Sequence, residues 1–363
     1  MSRELFLAAI ASALTVLAGC DKTAVSSGDG ESPAGVPVEV DVRVGDVTKG
    51  CYTTENLKAE SFYLSLIQAT VNRYNYNSVA FSYDPASGKW LPERQMLFDK
   101  KEPAVSFFAV APSQNVDFDI LEKLQYRRYE GTGFTLFSSE VAAVQTRDDR
   151  SSDLITAYAL DCFHSGNSTV GNTYKPVDNK IALRFQHVLS RFIVRLALGT
   201  EFNHGAVPEE NPVTDFTVGG SVREYAYGWG GASFWDGSSL YRDGTPSRVE
   251  GKYLLLGATA SGADASDISP YQTSWTYTPA DRNKSCVAVY ECVFVPQTVQ
   301  FTIKFKLGGR PYRYTMPAAR ALTAPGQNYR LNLTVRNGEV SADSDDIAAT
   351  PWTDGGVTDI ETD

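Results

Sequence analysis

Histidine occurs three times in 363 residues, at His164, His187 and His204, so chemistry built on imidazole has few places to be. His164 and His204 lie in polar or glycine-bearing stretches, and their spacing matches no metal motif. His187 shares the apolar face of Ile181, Leu183, Phe185 and Leu189, which reads as an inward, satisfied imidazole. No H-E-x-x-H, no G-x-S-x-G elbow and no phosphate-cradling loop occurs, so hydrolase and NTPase readings lack a nucleophile, a cradle and a metal. Asp343, Asp345 and Asp346 form an acidic turn without the Gly and terminal Glu that an EF-hand calcium loop requires. Trp229 and Trp235, set among glycines, have the composition of a platform for a sugar ring, and equally of a hairpin's apolar faces. The reading is non-enzymatic, with no metal and no cofactor.

Five cysteines remain to be placed. Cys20 ends an apolar run of fifteen residues, Leu5 to Gly19, too short to span a bilayer comfortably and positioned as an export signal. Leu17-Ala18-Gly19-Cys20 resembles the lipobox of bacterial lipoproteins, which implies that the Cys20 thiol is acylated and becomes the mature amino terminus. Two or three acyl chains hold a protein to a membrane durably, at about 0.8 kcal/mol per buried methylene. Residues 1–19 are thus expected to be a signal peptide. Residues 20–35, rich in Ser, Gly, Asp and Pro, form a flexible tether. In an oxidising route Cys51, Cys162, Cys286 and Cys292 allow up to two disulfides. Cys286 and Cys292 stand on one strand face roughly 20 Å apart if extended, too far to bridge each other, and are read as buried thiols. The pairing of Cys51 with Cys162 stays open.

The elements that position these residues are strands. Val36, Val38, Val40, Val42 and Val44 alternate with polar residues, a clean period-two signal. The alternation recurs around Phe62, Val105, Ile181, Phe301 and Tyr329, while a helical period shows only weakly at Ile120, Leu121 and Leu124. Gly308-Gly309 suits a two-residue hairpin turn. An aromatic content of 12% excludes a disordered chain, and a net charge of −10 makes nucleic acid a poor partner. The apolar phase runs on odd numbers to Leu189 and on even numbers from Phe192, which sets Arg191 and Arg195 outward and requires a bulge or a change of sheet between. Two domains are expected, residues 36–189 and 190–363.

The ordered set of Asp153-Leu154-Ile155-Thr156-Ala157, Leu183 to Arg191, Val295-Pro296-Gln297-Thr298, Pro325 to Tyr329 and Pro351-Trp352-Thr353 resembles the fimbrillin family of Bacteroidales-type bacteria. The resemblance implies an all-β chain of two tandem transthyretin-like β-sandwich domains, and a lipid-anchored subunit or tip accessory of surface fimbriae that supports cell adhesion. It also implies partners: other fimbrial subunits, the outer membrane through the lipid, and host or bacterial surface glycans or proteins. Subunits of this family exchange strands. The removable strand maps to Val36, Val38, Val40, Val42 and Val44, with processing at Arg43 or Lys49. The donor tail maps to residues 346–363, with Ile347, Trp352, Val357 and Ile360 as its apolar side chains. The alternative is a non-polymerising glycan-binding surface protein using Trp229 and Trp235.

Overall fold

A computed structural model describes residues 35–45, 51–68, 74–125, 134–160, 174–202, 210–229, 241–242, 245–246, 256–277, 286–344 and 347–351. Strands dominate, and the weak helical period at Ile120 and Leu121 becomes the short helix Phe118–Gln125. The chain is all-β, as its alternation demands.

One sheet has seven strands, in the order Glu39–Val44, Lys180–His187, Ile155–Ala159, Val105–Ala111, Ser61–Gln68, Tyr76–Asp84 and Lys89–Pro92. All its pairings are antiparallel except the first, in which Glu39–Val44 runs parallel to Lys180–Phe185. Such parallel pairing needs a long connection, and here more than a hundred residues intervene. The strand Val105–Ala111 is buried along its whole length, with Phe107 in one apolar core and Phe108 in another. This differs from a one-faced reading of the same residues, because a central strand covered on both sides has no solvent face to alternate with.

Immediately after His187 the chain leaves this sheet. Ser190–Leu198 lies in a second sheet, between Cys286–Phe294, antiparallel, and Gln327–Arg336, parallel. Tyr271–Tyr277 closes one edge, while Glu339–Ala342 and Ala348–Pro351 pair with successive parts of Gln327–Arg336 at the other. A four-stranded sheet of Ser266–Ile268, Val213–Ser221, Thr302–Leu307 and Arg310–Thr315 faces it. The two layers meet through aromatic contacts, Phe216 on Tyr290 with centroids 3.8 Å apart and Phe192 on Phe301 at 4.2 Å. This is β-sandwich architecture. The Gly308-Gly309 turn forms as its sequence demands, with φ of 59° and 79° joining Leu307 to Arg310.

The halves are not sealed from each other. Phe134–Glu140 pairs with Glu224–Trp229 from beyond the junction, and Phe108, Leu136 and Leu154 share one core with Phe192, Tyr225 and Leu333. Gly35–Asp363 forms one compact unit.

Candidate functional site: the valine ribbon, its cleft and the junction

The valine-alternating segment is built as two pieces. Val36–Pro37 pairs antiparallel with Leu97–Phe98, the Val38 N–H donates to Met96 O at 3.0 Å, and Glu39–Val44 then joins the large sheet as its edge strand. Val38, Val42 and Val44 are buried in the core that holds Phe62, Phe81, Ile181, Leu183 and Phe185, while Val36 and Val40 are half-buried against it. The alternate positions carry the polar residues, and these tie the ribbon down. Glu39 reaches Lys89 at 3.1 Å and Lys180 at 3.7 Å; Asp41 reaches Arg184 at 3.0 Å. The hydrogen bond from Lys89 holds the Glu39 carboxyl below its ordinary range, against the upward push of its slight burial. The ribbon is thus a plug with an apolar underside and an ion-paired upper side.

Arg43 lies inside this strand with its side chain in solvent, opposite Arg184 in the register, and the N–H of the next residue, Val44, donates to Thr54 Oγ1 at 3.0 Å. A protease that reads an extended substrate must therefore peel the strand before it reaches the Arg43–Val44 bond. Lys49 and Cys20 lie outside the described residues, as do Cys162, Trp235, Trp352, Val357 and Ile360.

Of the tail residues, Ile347 packs against the chain's own core. Ala348–Pro351 pairs with Gln327–Arg330 and exposes all four residues to solvent. Ribbon and tail are each edge strands, on different sheets. Trp229 ends the strand Glu224–Trp229 opposite Phe134. The aromatics preceding it belong to the interior: Tyr227 is buried, stacks on Phe137 at 5.0 Å and hydrogen-bonds Thr156 Oγ1 at 3.0 Å, and burial pushes the Tyr225 hydroxyl up to about 12.

Alternation placed Arg191 outward, and the structure corrects this: the residue is 1% exposed. Its guanidinium pairs with buried Glu291 at 3.0 Å, and its Nε donates to Asn328 Oδ1 at 2.8 Å. Period two fixes which face a side chain takes, not what covers that face. Here the cover includes Tyr271, whose hydroxyl donates to Glu291 at 3.4 Å. Burial raises the Glu291 carboxyl above its ordinary value, opposed chiefly by the Arg191 charge. Asn328 Nδ2 in turn donates to Pro351 O at 3.4 Å, so a polar chain runs from the junction to the tail strand. Beside it, His187 is buried as its apolar neighbours implied; its Nδ1 lies 2.7 Å from Asp153 Oδ1, while Asp153 Oδ2 accepts the Tyr52 N–H at 2.6 Å. The change of strand phase after Leu189 marked this place in the sequence, but nothing in it marked the buried pairing of Arg191.

Cys51, Cys286 and Cys292 are all buried, and burial pushes the thiols of Cys51 and Cys292 well up, which keeps them inert. Among the described residues no group of three or more His, Cys, Asp or Glu is placed to hold a metal. No described helix is long and apolar enough to cross a membrane.

The fold and the site define an all-β, layered protein whose distinctive parts are strand edges and a core plug. Residues 52–222 match the family described as fimbrillin-like. No curated protein matches the sequence. Among solved structures it is similar to a cell-adhesion candidate from Bacteroides ovatus (13% identity, 88% of this chain and 98% of that one, TM-score 0.49). It is also similar to another from Bacteroides uniformis (12%, 89% and 100%, 0.48). A third is the C-terminally truncated tip fimbrial protein Mfa3 from Porphyromonas gingivalis (10%, 87% and 98%, 0.33).

Proposed function

We propose that this chain is a lipid-anchored surface fimbrial subunit, of the stalk or the tip, that assembles by strand exchange and supports cell adhesion. Cys20 carries the lipid that holds it to the outer membrane, and two transthyretin-like sandwiches, residues 36–189 and 190–363, form its body. The observation that carries this reading is the ribbon. A ribbon that buries Val38, Val42 and Val44 and is attached to the large sheet by one parallel ladder, with only the two-residue pairing of Val36–Pro37 and Leu97–Phe98 before it, is a removable part of the core. Its loss leaves an apolar groove flanked by the unpaired edge of Lys180–His187, which an extended segment with alternate apolar side chains can fill. Cleavage after Arg43 or Lys49 releases the ribbon. The tail of a neighbour, with Ile347, Trp352, Val357 and Ile360, is the donor.

Purified mature protein treated with a trypsin-like protease is expected to form chains by electron microscopy, and truncation before Asp346 to abolish them. A digest that loses the ribbon and stays monomeric refutes the stalk role. Radiolabelled palmitate incorporated into the wild type and absent from Cys20→Ala tests the anchor.

A further inference from the structure

A cleft of about 790 Å³ runs along the outer side of the ribbon, between it and the hairpin of Tyr76–Asp84 and Lys89–Pro92. Backbone direction makes this more than a surface fold. In a parallel pair alternate residues turn their N–H and C=O to the same neighbour. The N–H groups of Glu39 and Gly45 donate to Asn179 O and Phe185 O, so the odd-numbered residues face the Lys180 strand and the even-numbered ones face away. Of the even positions, Val38 N–H is taken by Met96 O and Val44 N–H by Thr54 Oγ1. Val40 and Val42 present their backbone groups to the cleft they line. On the opposite wall Glu93 N–H donates to Ala80 O, which by the same alternation turns the backbone of Trp90 outward.

The walls match a strand. Half-buried Val40 and Trp90 supply apolar surface, and at the rim stand Leu91, 46% exposed, and Val177, 70% exposed, two of the large apolar side chains left in solvent. At the same rim Lys89 and Lys180 share the single carboxylate of Glu39 and Asp41 is matched by Arg184, so this corner carries one more cation than carboxylate, although Asp178 also lines the cleft. Residues 352–363 of this chain, WTDGGVTDIETD, carry Val357 and Ile360 among four carboxylates, Asp354, Asp359, Glu361 and Asp363, and no base. They follow directly on the exposed strand Ala348–Pro351.

We infer that this cleft is an entry site, open while the ribbon is in place, where the acidic carboxy-terminal segment of a second copy docks as a short added strand on Val40 and Val42. It rests on the assembly reading only for the identity of the occupant. The site differs from the groove that ribbon removal creates, because the ribbon forms one of its walls. Docking here places the donor beside the strand it is to replace.

The test uses the full mature chain with its ribbon uncleaved and a fluorescent peptide of residues 352–363, read by polarisation. Saturable binding is expected, weakened roughly tenfold or more, a single strong contact's worth, by Trp90→Ala and by Lys89→Glu. Val40→Pro removes only an outward N–H, a change edge strands tolerate, and is expected to keep the melting temperature near wild type while abolishing binding. A scrambled peptide of the same charge is expected to bind weakly. No binding, or binding indifferent to all three variants, overturns the inference. Binding that appears only after protease has released the ribbon also overturns it, while leaving strand exchange intact. A chain that stays monomeric well above the peptide's dissociation constant overturns the second copy as occupant.

Discussion

At the scale of single residues, Arg191 and Glu291 form a buried pair whose energetics are decided by desolvation. Arg191→Met removes the cation and leaves the carboxylate buried, at a cost of about 3–5 kcal/mol near neutral pH. Because Glu291 has a folded pKa above its unfolded one, it holds its proton more tightly in the native state. Its contribution therefore favours folding at low pH and is lost as pH rises through the folded pKa. Losing the Arg191 charge raises that pKa further. The deficit of Arg191→Met relative to wild type should then be smaller at pH 4.5 than at pH 7.5, as urea denaturation at both values would show. Adding Glu291→Gln should flatten the dependence, and a deficit equal at both pH values, with or without that change, would contradict this account. The same pair marks a limit of sequence reading. His187 was legible as buried because its own strand face is apolar, whereas Arg191 was not, because its partners stand 100 and 137 residues away.

At the scale of elements, what is local was legible and what is distant was not. The valine alternation, the Gly308-Gly309 turn and the phase change after Leu189 all express short-range geometry, and the strands form there. The parallel ladders that hold Glu39–Val44 and Ser190–Leu198 to their partners left no trace, since pairing across more than a hundred residues is set by the folded core. The split of the valine segment at Val38 was hidden for the same reason. The hairpin gives a local prediction. Both turn glycines have positive φ, and a Cβ added at either would meet open space, so any effect of substitution is conformational. Gly309→Val is expected to lose roughly 1–2 kcal/mol, the usual penalty for the left-handed region, while Gly308→Asn stays within a few tenths. Thermal unfolding of both variants checks this, and an equal loss in the two would argue against a turn of this type.

At the scale of the whole molecule, the ribbon carries a share of stability comparable with the total. Three buried valines contribute roughly 1.5–3 kcal/mol each, whereas domains of this kind are stable by only about 5–15 kcal/mol. A chain that begins at Gly45 should therefore lose cooperative unfolding of its first half or associate through the groove, and the buried Arg191 pair in the second half should not rescue it. A peptide of residues 35–45 supplied in trans should restore the melting transition, because the groove is shaped for alternate valines and its ion-pair partners, Lys89, Lys180 and Arg184, remain on the body. The same peptide with Val38, Val42 and Val44 changed to Ser keeps every backbone bond and every charge, and should fail. Equal rescue by both peptides would mean that backbone pairing alone holds the ribbon, and a truncated chain as stable as the intact one would mean that the ribbon is no plug. Either result removes the reason for a neighbour's strand to take its place.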